Sequence, residues 1–201
     1  MKTMIKKHLV EGTLIVFSVL FALFINKSFE NYQTNRKRAI AEKSIIKELQ
    51  QNQYILNRWK EKHIEVKNRI SSVINGESDS LRSELEKFDY LNLGVLTNNE
   101  SLVDAILTST AWESAKTTGI ISEFDYETIQ MLTQVYTLQA NLSDRTLIKI
   151  LDYYFDSEAH DMTNLNKTLV QFHLRFWELT GQEELMSTLY DNAITKLKEV
   201  N

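Results

Sequence analysis

The sequence predicts an all-α protein in which an N-terminal transmembrane helix continues into a long helix packed in a multi-helix bundle. Three observations predict it. Proline is absent and glycine occurs only five times in 201 residues, so the residues that most often interrupt helices are scarce. One run near the N-terminus, Leu14–Ile25, is apolar on every side. Beyond it, apolar residues recur at alternating steps of three and four, which places them on one helix face.

The first element is "LIVFSVLFALFIN", where Ser18 and Ala22 are the only interruptions among large apolar residues from Leu14 to Ile25. A helix crossing a ~30 Å hydrocarbon layer needs ~20 residues at ~1.5 Å each. Lys7 to Lys27 is 20 steps. Both lysines can extend toward water while Glu11 sits near one interface. A cleaved export signal would need small residues after the apolar core, and "FINKSFENYQ" has no such site. The lipid bilayer is therefore the expected partner of Leu14–Ile25. Lys2, Lys6 and Lys7 precede the run, while Lys27, Arg36, Lys37 and Arg38 follow it. The positive charge is balanced across the span, and the orientation read here is a short cytoplasmic N-terminus with the body exported. The chain divides into a tail and anchor (1–27), a polar helical stalk (28–44) and a soluble helical bundle (45–201).

After the stalk comes a seam: Ile45, Leu49, Asn52, Leu56, Trp59, His63, Val66, Ile70 and Val73, at steps of 4, 3, 4, 3, 4, 3, 4, 3. This is a heptad pattern. It suits either a homodimeric coiled coil or packing on the same chain. Lys60, Lys62, Lys67 and Arg69 border it, and a parallel homodimer would oppose like charges there. Residues 1–75 hold 14 Lys/Arg against 6 Asp/Glu, a local +8, while 76–201 hold 9 against 21, a local −12. The acidic remainder complements the basic flank, so intramolecular packing is expected, with a homodimer as the alternative. Asn52 and His63 are read as register-setting or partly exposed. "NGESDS" at Asn75–Ser80 ends the helix.

The body reads as five or six helices joined by short loops. Ser80 caps a helix to about Asp89, and "LNLGVLTNN" is a loop. Leu102, Ile106, Trp112 and Ala115 share a helical spacing broken at Thr108–Thr110, with Gly119 as a left-handed C-terminal cap. Ser122 with Asp125 resembles a cap for a helix through Phe124, Ile129, Leu132, Val135 or Tyr136, and Leu142. "LIKILDYYF" carries a further apolar face. Leu165, Leu169, Phe172, Phe176 and Trp177 form a helix closed by Gly181, and Leu185, Leu189, Ala193, Leu197 and Val200 form the last.

Chemistry is sparse. The chain lacks cysteine, which removes disulfides, thiolate zinc sites and a cysteine nucleophile. No phosphate-cradling glycine loop, G-x-S-x-G or H-E-x-x-H occurs, so no catalytic, cofactor-binding or metal-binding residue is assigned and no cofactor is expected. Asp156 and His160, four apart in "DSEAHD", could share a helix face and hold a divalent cation, but a solvated acidic helix end is the simpler reading. His173 reads as a hydrogen-bonded core histidine. Trp112 reads as a packed indole covered by a Glu113–Lys116 pair rather than the wall of a groove. Tyr126, Tyr136, Tyr153 and Tyr154 read as core filling. Basic residues lie on one helix without an aromatic platform, so nucleic acid is not an expected partner.

Taken together, "LIVFSVLFALFIN" with its polar stalk, "AEKSIIKELQQNQYIL" and "AWESAKTTGIISEFDYETIQMLTQVYTLQ" resemble a widespread group of uncharacterised bacterial single-pass membrane proteins. The matching positions are Ala22, Leu23 and Asn26; Glu48, Leu49 and Asn52; and Trp112, Gly119 and Tyr136. They cover about two thirds of the chain. The resemblance implies a bacterial inner-membrane anchor and a helical domain, and it implies no activity. The expected function is a membrane-anchored interaction module or accessory subunit without catalytic activity, working with other membrane or envelope proteins. The alternative is a tethered ligand-sensing domain.

Overall fold

The computed structural model describes the backbone of residues 2–199 and the side chains of residues 11–199. The expectations placed on the side chains of Lys2, Lys6, Lys7 and Val200 lie outside the described residues.

Helix α1 runs without a break from Lys2 to Ile74, 73 residues, or roughly 110 Å at ~1.5 Å per residue. No proline or interior glycine pair interrupts it. Over Leu14–Ile25 its large side chains are all exposed to about half or more. Glu11–Ile74 contains a stretch long and apolar enough, by length and composition, to cross a membrane. The one hydroxyl within that run is satisfied inside the helix, Ser18 Oγ donating to the Leu14 carbonyl at 2.8 Å. Lipid could not supply that bond. Burial begins at Glu42 and continues through the whole seam, where every residue from Ile45 to Val73 at the 4-3 steps is buried. The helix ends at Gly76, whose φ of +71° favours a residue without a Cβ. There Glu77 N–H donates to the Ser72 carbonyl at 2.8 Å.

Against this seam lies α7, Leu165–Glu199, 35 residues. It runs antiparallel to α1. Gln53 Nε2 donates to Asp191 at 2.6 Å and Lys60 Nζ to Glu184 at 3.0 Å, so rising numbers on one helix meet falling numbers on the other. The two seams expected as separate helices are therefore one. Gly181 does not close a helix, because a lone glycine costs only ~1 kcal/mol within a helix, well below what a continuous packed face supplies. The buried seam of α7 is Leu165, Leu169, Phe172, Phe176, Leu179, Glu183, Met186, Tyr190, Ala193 and Leu197, again at steps of four and three, and Thr168, Thr180 and Ile194 beside it are buried too. Leu185 and Trp177, expected in the core, are 52% and 63% exposed.

The remaining elements wrap this helical pair. Short helices α2 (Asp79–Leu85) and α3 (Leu93–Thr97) follow α1. The second occupies the segment expected to be a loop, where Asn92 Oδ1 accepts from Gly94 N–H at 3.0 Å and nucleates one turn. Residues 98–109 form no helix. They run as a strap that buries Leu102 and Leu107 and leaves Ile106 79% exposed, so the helical spacing read there was fortuitous. Helix α4 (Thr110–Thr117) ends at Gly119, φ +74°, as expected.

Helix α5 (Tyr126–Asn141) is capped by Asp125, which accepts from Thr128 N–H at 2.9 Å; Ser122 is not part of that cap. A π-helical turn, Leu142–Thr146, joins α5 to α6 (Leu147–Phe155). Its reason lies in the apolar spacing. Leu142 and Leu147 are both buried yet five apart, and a wider turn keeps such a step on one face.

Candidate functional site

The least ordinary feature of this core is its polar content, which comes from both long helices. His63 is fully buried on α1, and so is Glu183 on α7. Nδ1 of His63 lies 2.6 Å from Glu183 Oε1, and Nε2 lies 3.0 Å from the Leu102 carbonyl. The imidazole stands between Trp59 and Phe176, with centroids 6.4 and 6.0 Å away. A carbonyl only accepts, so Nε2 carries a proton. A further proton must lie between Nδ1 and Oε1, since two bare acceptors at that distance would repel. The unit is thus neutral overall whichever atom holds that proton.

Three turns nearer the stalk, Asn52 grips the strap from both sides. Thr108 N–H donates to Asn52 Oδ1 at 2.9 Å, and Asn52 Nδ2 donates to the Thr108 carbonyl at 2.6 Å. The Thr108 N–H fixes which amide atom faces it, so the orientation follows from the network. Asn52 Nδ2 also reaches Gln139 Oε1 at 3.1 Å, which accepts the Tyr190 hydroxyl at 2.7 Å. Gln139 Nε2 returns to the Thr108 carbonyl at 3.1 Å.

One turn further, the buried Glu48 carboxylate sits at the N-terminus of α4. It accepts from Ala111 N–H at 2.9 Å, Trp112 N–H at 3.4 Å and the Tyr136 hydroxyl at 2.7 Å. Ser109, the N-cap residue, makes no side-chain cap of its own. A carboxylate from another helix takes over that task and meets the positive end of the α4 dipole. Burial pushes the Tyr136 hydroxyl well above its ordinary value, and its bond to Glu48 pushes it further. Tyr190 is pushed up by burial and then by the Glu48 charge. Both remain phenols throughout the ordinary pH range.

These residues form a polar spine whose common task is to satisfy the backbone of residues 98–112. The strap's exposed-side contacts agree with the charge asymmetry of the chain. Lys62 binds the Ser101 carbonyl at 2.8 Å and Glu100 at 3.3 Å, and Arg58 pairs with Asp104. Arg69 Nη2 donates to the Val95 carbonyl at 2.7 Å.

Asn52 and His63 lie on the seam as their spacing predicts, but neither is partly exposed: both are fully buried and bonded. Their partners Glu183, Gln139 and Tyr190 carry no sequence motif that pairs them with α1. The signal was available in α7, where the 4-3 pattern, carried through Gly181, lands a carboxylate at position 183.

The other candidates are dispersed. Asp156 and His160 do not share a helix face: Asp156 caps a 3-10 turn by accepting from Glu158 N–H at 2.9 Å, while His160 Nε2 lies 2.7 Å from the Tyr154 carbonyl. Among the described residues no three His, Asp or Glu side chains gather as for a metal ion. His173 is only half-buried, and its Nδ1 has no hydrogen-bond partner, contrary to its reading as a bonded core residue. Trp112 is buried, stacks on Tyr136 at 5.4 Å and lies under Lys116, which pairs with Glu113 at 2.7 Å. Tyr136 is core, whereas Tyr126 is 79% exposed. Tyr153 and Tyr154 are half-buried, the former packed on Phe172 and under Arg175.

A groove of about 810 Å³ opens between the stalk end of α1 and α4, reaching from Thr34 to Gln51 on one side and from Thr108 to Glu123 on the other. Ala41, Ala111 and Ala115 supply apolar wall, and Lys37 and Lys47 are exposed beside it. No family model, curated protein or solved structure matches this chain.

Proposed function

We propose that this chain is a membrane-anchored helical interaction module, an accessory subunit that performs no catalysis itself. A single observation carries the reading. The bare apolar run and the fully packed seam belong to one unbroken helix, so whatever the bundle binds is held at a set height above the bilayer. His63, Glu48, Tyr136 and one oxygen of Glu183 bond to backbone and to one another, which supports a structural use for them, while Glu183 Oε2 is buried without a partner. The resemblance to bacterial single-pass proteins supports an inner-membrane location.

Fractionation with protease accessibility tests the placement. The protein should resist salt and carbonate washing, and the bundle should be cut only from the periplasmic face. Release by salt would sink the anchor. Pull-down from gently solubilised membranes should recover other envelope proteins; repeated recovery of the monomer alone would count against an interaction module.

The membrane-proximal groove favours a second reading, a tethered ligand-sensing domain. Native mass spectrometry of the gently solubilised protein would then find a bound small molecule that is lost on Ser114→Trp, which fills the groove. Absence of added mass in both forms would remove this reading.

A further inference from the structure

The basic residues of α1 fall into two groups. Those bordering the seam are met by the body: Arg58 pairs with Asp104, Lys60 with Glu184 at 3.0 Å and Lys62 with Glu100 at 3.3 Å, and Arg69 donates to the Val95 carbonyl at 2.7 Å. Between the apolar run and the bundle the pattern changes. Lys27, Arg36, Lys37, Lys43 and Lys47 are all exposed, and among the basic residues of this stretch Arg38 alone is held in an ion pair, with Glu42 at 3.4 Å. Glu30 and Glu42 are the only acidic residues between Lys27 and Lys47. Glu42 is buried, and Glu30 accepts from Asn26 Nδ2 at 2.8 Å.

These free charges have a direction. Arg36, Lys43 and Lys47 are seven and four residues apart, so they form one line on the helix. Ile45, where the seam begins, lies nine residues past Arg36, about two and a half turns, and so on the opposite side. The basic line therefore points away from α7. The stalk end of the body is acidic by contrast: it holds Glu123, Asp125, Glu127 and Glu199 against Lys196 and Lys198.

We propose that this basic line binds the anionic phospholipid headgroups of the bilayer that holds the anchor, and that α1 leans toward the line so that the acidic body rides on the side away from the lipid. The proposal rests on the membrane-anchored reading. With Lys27 at the edge of the hydrocarbon, Arg36 and Lys37 stand ~14–15 Å above it along the helix. The headgroup layer takes up ~6 Å of that height. The ~8 Å left over matches the Debye length at physiological salt, and both side chains extend into it. Lys43 starts ~24 Å above Lys27 and comes within range only when α1 tilts toward it. Anchor and stalk are one unbroken helix, so the tilt of ~20° usual for a membrane span carries straight into the stalk. A lean the other way would lower Glu123 and Glu127 toward the phosphates and is opposed by like charge.

The test uses the full chain in bilayers of phosphatidylcholine with a minor share of phosphatidylglycerol. Spin-labelled lipids should show phosphatidylglycerol preferred at the protein, by about fivefold for each basic residue that reaches the surface. Arg36→Gln with Lys37→Gln and Lys43→Gln should abolish the preference, as should ~1 M salt, where the Debye length is ~3 Å. Arg58→Gln with Lys60→Gln removes two charges already paired with the body and should leave it unchanged. Circular dichroism checks that each variant keeps its fold. Because the protein has no cysteine, labels report the lean without background. Gln53 meets Asp191 and Lys60 meets Glu184, so residues 50 and 195 stand at about the same level, both exposed, Gln50 on the basic side of α1 and Thr195 on α7. A quencher carried on the headgroups should dim a fluorophore at Gln50→Cys more than one at Thr195→Cys. Equal partition of the two lipids at the wild type, or a preference that the triple variant keeps, would overturn the proposal, and equal or stronger quenching at Thr195→Cys would overturn the lean. Carbonate extraction separates the two claims: a protein that washes off yet still prefers phosphatidylglycerol removes the anchor alone, and a retained protein without the preference removes the lipid site alone.

Discussion

His63 on α1 and Glu183 on α7 lie 2.6 Å apart, Nδ1 to Oε1, both with side chains wholly removed from solvent. Here a polar residue of the α1 seam meets one of the α7 seam directly. Neither residue is tolerable alone in such a core, because an unpaired buried polar group keeps its full desolvation cost.

This predicts a specific pattern of mutational effects. Glu183→Leu or His63→Leu alone should destabilise the bundle by about 3–5 kcal/mol, the usual result of breaking a buried pair. The double variant should recover a substantial part of that loss, although the strap then lacks a donor to the Leu102 carbonyl. Thermal and denaturant unfolding of the four proteins, compared as a double-mutant cycle, gives the coupling. Simple additivity of the two single losses would show that the pair is not a unit.

Glu48 should act locally as a helix cap. Glu48→Ala removes the acceptor for Ala111 N–H, Trp112 N–H and the Tyr136 hydroxyl at once. Loss of a cap costs ~1–2 kcal/mol, and the stranded tyrosine adds to it. Amide hydrogen exchange should rise first at residues 108–117 and leave the centre of α7 protected. Exchange that rises evenly over the bundle would contradict the assignment.

The two buried phenols set an alkaline limit. Their folded values lie above the ordinary tyrosine value of 10.0, so folding favours the protonated form. That stability is fully present below pH of about 10 and is lost as pH rises past it, because the unfolded chain ionises first. Stability measured from pH 8 to 11.5 should fall, and Tyr136→Phe should flatten the fall. An unchanged slope in that variant would show that this phenol does not control it. At the acid end, Thr128 holds the Asp125 carboxylate below its ordinary 3.8, so the cap of α5 is stable above that value and weakens as pH falls through it.

Gly181→Ala tests whether the glycine serves the single chain. Its helix has open space at that point, and alanine is the better helix former by up to ~1 kcal/mol. In dilute detergent the variant should unfold at a higher temperature than the wild type. A lower melting temperature would mean that the neighbourhood of Ile64 and Trp177 needs the glycine for packing.

How much of this was legible beforehand depended on the range of the interaction. The seam from Ile45 to Val73, the stop at Gly76, the cap at Gly119 and the bare run at Leu14–Ile25 were all readable, because periodicity and chain breaks are properties of neighbouring residues. The complementarity between the basic flank of α1 and the acidic body was also readable, and it appears as Lys60 with Glu184 and Lys62 with Glu100. The continuity of α7 through Gly181 is not legible locally, because glycine reads as a stop while packing on either side of it outweighs its propensity. The strap is not legible either, because Leu102 and Ile106 are four apart by chance, one buried and the other exposed.

The sequence by itself determined that this is a helical chain with one apolar run able to span a membrane, and which face of the long helix is buried. Tertiary structure alone decided why that face contains Asn52 and His63. Their partners lie 56 and 120 residues away, at Thr108 and Glu183. No local pattern carries such a pairing. It arises because an irregular strap crosses the core and its backbone groups must be bonded where water cannot reach them.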